Sequence, residues 1–218
     1  MNTLERRLPW IIVALAAAAG IAGYMASKRL FVAENGADAQ PRQLQASLLY
    51  PQPKPLPDFT LQRSDGSPLM RQDWTGRWRL VFFGFASCPD VCPTALATAK
   101  AARAQLLAQR PDLDLAVSFV SVDPERDKPE QLGAYVSFFD PSFEAATGAP
   151  AQLLALTQSL GVMYVKVPTG PGPLDYTIDH SASLLIIDPQ GRLAGLMRPP
   201  QRADAMVADL ITLMDEGN

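Results

Sequence analysis

The sequence predicts an α/β fold, a central sheet flanked by helices. Three observations carry that expectation. Residues 78–85 and 113–122 carry apolar side chains on both faces, as strands covered on both sides must. Helix-like stretches alternate with these runs, which is the pattern of a layered sheet. A chain of 218 residues, 48 % of them hydrophobic, is long enough for one domain with a sizeable core plus appendages.

The elements follow in order. Residues 8–26 carry no charge and are almost wholly apolar, with Arg6 and Arg7 before them and Lys28 and Arg29 after. At about 1.5 Å per residue this run is roughly 28 Å long, close to one hydrocarbon core. It exceeds a usual signal-peptide apolar region, so residues 1–30 are expected to form one N-terminal transmembrane helix that anchors the chain. Basic residues at both ends specify orientation weakly. A cysteine pair working outside the cytoplasm places the N-terminus in and the domain out. There is no long Arg- and Ser-rich presequence, so the expected location is a bacterial inner membrane with the C-terminal domain in the periplasm. Residues 31–55 read as an extended, proline-rich tether ending in Pro51, Pro53 and Pro55. The domain is expected over residues 56–218.

Within the domain, residues 58–62 alternate as a half-buried strand does, and 68–70 return after a turn at 64–67. A polar connection holding Trp74 leads into the first central strand, 78–85. A helix is expected over 94–109 and the second central strand over 113–122. Asp123 to Lys128 reads as a solvated acidic loop. Pro129 opens a helix running to Phe139. Residues 139–143 read as irregular, 151–160 as a short helix stopped by Gly161, and 162–167 as a strand. Residues 168–173, rich in Pro and Gly, form a loop. Residues 183–188 and 193–197 flank a Pro-Gln-Gly turn as a hairpin, and 199–214 close the chain with a helix.

The chemistry sits in Cys88-Pro89-Asp90-Val91-Cys92-Pro93, which holds both cysteines of the chain. They fall where the first central strand ends and a helix begins. Residues four apart share a helix face, so the sulfurs can approach each other. A thiol at a helix N-terminus is expected to favour thiolate. The pair reads as a reactive dithiol, a metal site, or both. A structural disulfide is the plainer alternative, but so short a loop restrains the unfolded chain little. The position matches the thioredoxin-like arrangement, although oxidoreductases of that fold usually carry C-x-x-C where this chain has C-x-x-x-C.

His180, the single histidine, stands just before the apolar run at 183–188. In a thioredoxin-like sheet that connection lies close to the dithiol. Two thiolates and one imidazole make a soft, low-coordinate donor set that suits copper(I). Zinc prefers four ligands, and no further Cys or His exists. A formal net charge of -3 provides no basic patch, so nucleic acid is not an expected partner. No phosphate loop, dinucleotide fingerprint or serine triad is present.

Three blocks together resemble the Sco/SenC family of copper-binding assembly proteins: Cys88 to Pro93, Ser121-Val122-Asp123-Pro124-Glu125-Arg126-Asp127, and Asp175-Tyr176-Thr177-Ile178-Asp179-His180-Ser181-Ala182-Ser183. The resemblance covers the chain from about Leu56 onward. It implies Cys88, Cys92 and His180 as ligands of one copper ion. It also implies a role as copper metallochaperone for the dinuclear copper site of cytochrome c oxidase subunit II, supplied by an upstream copper donor protein. Some members act as thiol-disulfide proteins, and the alternative for this chain is a thiol-disulfide oxidoreductase, with Cys88 attacking and Cys92 resolving, or a redox sensor using the same pair. Ala86, Ser87 and Lys128 depart from common family residues without removing an implied ligand.

Overall fold

The structure, a computed structural model, describes residues 44–216 together with Ala16, Ala19, Gly20, Ile21, Gly23, Tyr24 and Met25, which are helical. The chain divides into two units, residues 1–43 and 44–218. Most of the expected anchor, and the tether from 31 to 43, lie outside the described residues. Among the described residues no helix is long and apolar enough to cross a membrane.

The second unit runs β1 (Ser47–Pro55), β2 (Thr60–Arg63), β3 (Pro68–Met70), a 3-10 turn (Arg71–Trp74), β4 (Trp78–Gly84) and α1 (Val91–Gln109). It continues β5 (Leu115–Ser121), α2 (Pro129–Phe139), β6 (Glu144–Thr147), α3 (Pro150–Leu160), β7 (Tyr164–Pro168), β8 (Tyr176–His180), β9 (Leu184–Ile187), β10 (Arg192–Met197) and α4 (Ala203–Glu216). Eight strands form one mixed sheet in the order β1-β10-β9-β4-β5-β6-β2-β3, and β7 pairs with β8 in a separate antiparallel ribbon.

The two central apolar runs behave as expected. β4 and β5 pair in parallel, from Trp78 opposite Leu115 to Gly84 opposite Ser121. Every residue of β5 is buried, and so is every residue of β4 after Trp78, so both faces are covered. The alanine-rich helix explains one cover. Cys92, Ala95, Leu96, Ala99, Ala102 and Leu106 of α1 recur at three- and four-residue steps and are all buried. The small side chains let α1 pack closely, and α1 contacts α4 and α2 as well as β4. Gly161 ends α3 in the left-handed conformation, φ 69°, which glycine adopts without a Cβ penalty.

The tether expectation fails over its second half. Residues 47–55 are β1, paired antiparallel with β10 along one edge of the sheet. Prolines cannot donate to a ladder, but an edge strand has one side free, and the register shift between Leu49 and Lys54 takes up Pro51 and Pro53. Asp209 of α4 fixes the entry. Its buried carboxylate accepts the backbone N–H groups of Gln45, Ala46 and Ser47 at 2.8, 2.8 and 2.7 Å. The folded domain therefore begins near Leu44, not at residue 56. Two more strands, β6 and β8, were not expected. The strand expected at 162–167 does not join the main sheet but forms one arm of the β7–β8 ribbon.

Candidate metal centre

β4 ends at Gly84, and the chain turns through Phe85, Ala86 and Ser87 to Cys88 before α1 starts at Val91. The Cys88 N–H closes this turn on the Phe85 carbonyl at 3.2 Å. α1 begins three residues earlier than expected, so Cys92 lies inside its first turn, fully buried, while Cys88 in the loop is 9 % exposed. Both are free thiols.

Cys92 needs Gly84. A Cβ on residue 84 would stand 2.6 Å from Cys92 Sγ, 3.1 Å from the Phe119 ring and 3.2 Å from the Phe82 ring. Only a residue without a side chain lets the sulfur close over the strand end. Gly84→Ala is expected to lower stability by about 1–3 kcal/mol through overpacking and to weaken metal retention by displacing Cys92. A denaturant titration of the metal-free variant checks the first effect; an unchanged midpoint would show that the sulfur has room to move.

His180 reaches the same place from the far side. It is the last residue of β8, opposite Tyr164 of β7. Its Nδ1 lies 3.1 Å from the Ser181 carbonyl, so that nitrogen carries the proton and Nε2 presents its lone pair. Nε2 is 3.4 Å from Cys92 Sγ. Ser181 is itself pinned, its N–H to the Met163 carbonyl at 2.9 Å and its hydroxyl to the Met163 N–H at 3.0 Å. The rings of Phe82 and Phe85 stand edge-on to the imidazole, each 5.8 Å away. The donor atoms of Cys88, Cys92 and His180 all lie within 4.8 Å of one another. Metal–sulfur and metal–nitrogen bonds of about 2.0–2.3 Å put the donors of a planar three-coordinate site roughly 4 Å apart.

Burial sets the protonation of the set. It pushes the Cys92 thiol well above the ordinary thiol range, against a hydrogen bond from the Phe85 backbone that favours thiolate. The expected helix-terminal activation of this cysteine is thus outweighed by desolvation. Burial also pulls the His180 imidazole below its usual value, against the Ser181 and Phe83 backbone carbonyls, which favours the neutral ring that can donate a lone pair. A soft cation entering here must displace the Cys92 proton.

The acidic loop is solvated only in part, with Glu125 and Lys128 exposed. Asp123 and Asp127 are buried, and between them they brace both halves of the site. Asp127 accepts the Ala86 N–H of the cysteine loop at 2.8 Å and the Ser121 hydroxyl at 2.6 Å. Burial raises its carboxyl above the ordinary range despite those bonds. Asp123 accepts the Tyr176 hydroxyl at 2.6 Å and pairs with Arg126. Arg126 in turn donates to the Tyr176 carbonyl at 2.6 Å, and its guanidinium stacks 3.9 Å from the Tyr176 ring and 5.6 Å from the Phe85 ring. It thus bridges the cysteine loop and the histidine ribbon. Gly84, Ser181, Asp127 and Arg126 were not expected to shape the site. The Asp-Pro-Glu-Arg-Asp run was visible in the sequence, but its burial was not.

A mixed sheet of this topology, with a cysteine pair at the end of its central parallel strand, defines a thioredoxin-like protein. Here an imidazole faces the pair. The SCO1/SenC family model matches residues 50–215, and the chain belongs to that family. A Stutzerimonas stutzeri protein, named provisionally for copper binding, is 34 % identical over 168 residues, 77 % of this chain and 81 % of that protein. The mitochondrial Protein SCO1 homolog 1 of Arabidopsis thaliana is 35 % identical over 132 residues, 61 % of this chain but 39 % of that protein, so the match spans well under half of the plant relative. Among solved structures, Bradyrhizobium japonicum ScoI with copper bound is 34 % identical with a TM-score of 0.64, covering 72 % of this chain and 98 % of that one. The apo Sco1 protein of Thermus thermophilus is 37 % identical with a TM-score of 0.69, covering 79 % and 99 %.

Proposed function

We infer that this chain is a copper metallochaperone that binds one copper ion through Cys88 Sγ, Cys92 Sγ and His180 Nε2. It serves the assembly of cytochrome c oxidase, at the dinuclear copper site of subunit II. The observation that carries the reading is the convergence of two sulfurs and one neutral imidazole within 4.8 Å. Soft donors in low number favour copper(I) over zinc. Copper-bound structures of relatives support the choice of ion. The N-terminal apolar run supports an inner-membrane anchor with the domain in the periplasm, where an upstream donor supplies the ion. Release proceeds by exchange: thiolates of the target replace Cys88, Cys92 and His180 one at a time, so the ion is never free.

The test is a copper(I) titration of the reduced protein against a competing chelator. One ion per chain, lost when the pair is oxidised, supports the reading. In His180→Ala the affinity falls by roughly tenfold or more and the copper(II) spectrum shifts, since the single nitrogen donor is gone. Identical binding curves for the two proteins would remove His180 from the ligand set.

A second reading is thiol-disulfide exchange, favoured by the unequal exposure of the pair. Both cysteines are buried, but Cys88 at 9 % is less so than Cys92 at 0 %, the order expected of an attacking and a resolving cysteine. Weak copper binding by a folded, fully reduced protein would select this reading.

A further inference from the structure

His180 stands at a junction. β8 belongs to the separate ribbon and β9 to the main sheet, and three half-buried residues, Ser181, Ala182 and Ser183, join them. On the ribbon side, Ser181 is tied to Met163 through its N–H and its hydroxyl. On the main-sheet side, among the described residues, one hydrogen bond holds this connection: the Gln201 side-chain amide donates to the Ala182 carbonyl at 2.8 Å. The same nitrogen donates to the Met197 carbonyl at 3.4 Å. Met197 is fully buried, closes β10 and pairs with Leu184, which in turn pairs with Phe82 of β4. Phe82 is one of the two rings that stand edge-on to the imidazole. Gln201 thus fastens the connection to the row of the sheet against which His180 lies.

The backbone carries this bond to the imidazole. His180 Nδ1 lies 3.1 Å from the Ser181 carbonyl. The Ser181 and Ala182 carbonyls belong to successive rigid peptide planes, which only the φ and ψ of Ala182 separate. Fixing the second plane restrains the first, and with it the direction of the ring. We propose that Gln201 is a positioning residue for His180: by holding the Ala182 carbonyl it keeps Nε2 turned toward the sulfurs. Without that bond the imidazole swings away from Cys92 more readily. The inference rests on the copper reading above and deepens it, because Gln201 then sets how easily the nitrogen donor leaves the ion.

Gln201→Met keeps the length of the side chain and removes both donated bonds. His180 is the only histidine, so diethyl pyrocarbonate, which acylates an unprotonated imidazole nitrogen, reads this ring through its ultraviolet absorbance. In the metal-free full chain, modification of the variant is expected to be about fivefold faster than that of the wild type, the worth of one ordinary hydrogen bond. Copper(I) release to a chelator is expected to speed up by a similar factor in Gln201→Met, and not at all when the same change is made in His180→Ala. Equal modification rates would overturn the proposal. So would faster release in the His180→Ala background, since Gln201 would then act on the cysteines or on the fold at large. Failure of the wild-type protein to bind copper would strike the copper reading alone, because the modification is read without metal.

Discussion

Cys92→Ala is expected to lower copper(I) affinity by at least about a thousandfold while the domain stays folded. The variant keeps Cys88 and His180 but loses the donor that both the strand end and the helix start are built to hold. Cys92 Sγ is the atom that the imidazole faces at 3.4 Å. No third cysteine exists to replace it. The side chain is small and sits on the α1 stripe, so truncation leaves a modest cavity and the fold persists. Competition with a copper(I) chelator reads the affinity, and a thermal melt of the metal-free protein confirms folding. Undiminished one-to-one binding would show that the cluster is not the copper site.

Arg126→Ala is expected to lower stability by about 3–5 kcal/mol, the largest such effect of a single side chain near the site. Removing the guanidinium leaves the Asp123 carboxylate, 0 % exposed, without its counter-charge. It also removes the stack on Phe85 and Tyr176 and the bond to the Tyr176 carbonyl. The cysteine loop and the histidine ribbon then lose their shared brace. The double replacement Arg126→Ala with Asp123→Asn is expected to recover much of the loss, because no unpaired charge remains. Chemical denaturation of the single and double variants reads both effects. If the double variant is no more stable than the single one, stacking rather than charge holds this bridge.

The parts of the fold readable from sequence are those with a strong local signal. β4 and β5 are dominated by apolar residues on both faces, and Pro129 and Gly161 mark helix ends that the structure keeps. What escaped had a weak or contrary signal. β6 is Glu-Ala-Ala-Thr, with little β propensity, and forms because Ala145 and Ala146 fill the space beside β5. β1 was hidden by its prolines, which suggest a solvated linker until a pairing edge is known. β8 carried a usable clue: Tyr176 and Ile178 are buried and the residues between and after them are not, the alternation of a half-covered strand. The three donors were legible from residue type and position. Their surroundings were not, since an aspartate looks the same in sequence whether it is in water or, like Asp123 and Asp127, is buried. The missing Cβ at Gly84 has meaning only once Cys92 is known to lie above it.

The prolines of β1 have a consequence for how copies of this protein coexist. An eight-stranded sheet has two open margins, here β1 and β3. A row of free backbone donors along a margin invites another chain to pair with it. β1 lacks amide hydrogens at Pro51, Pro53 and Pro55, is broken by a register shift, and carries Lys54. β3 is three residues long and starts with Pro68. Both margins of the main sheet are therefore poor templates for a further strand from a second copy.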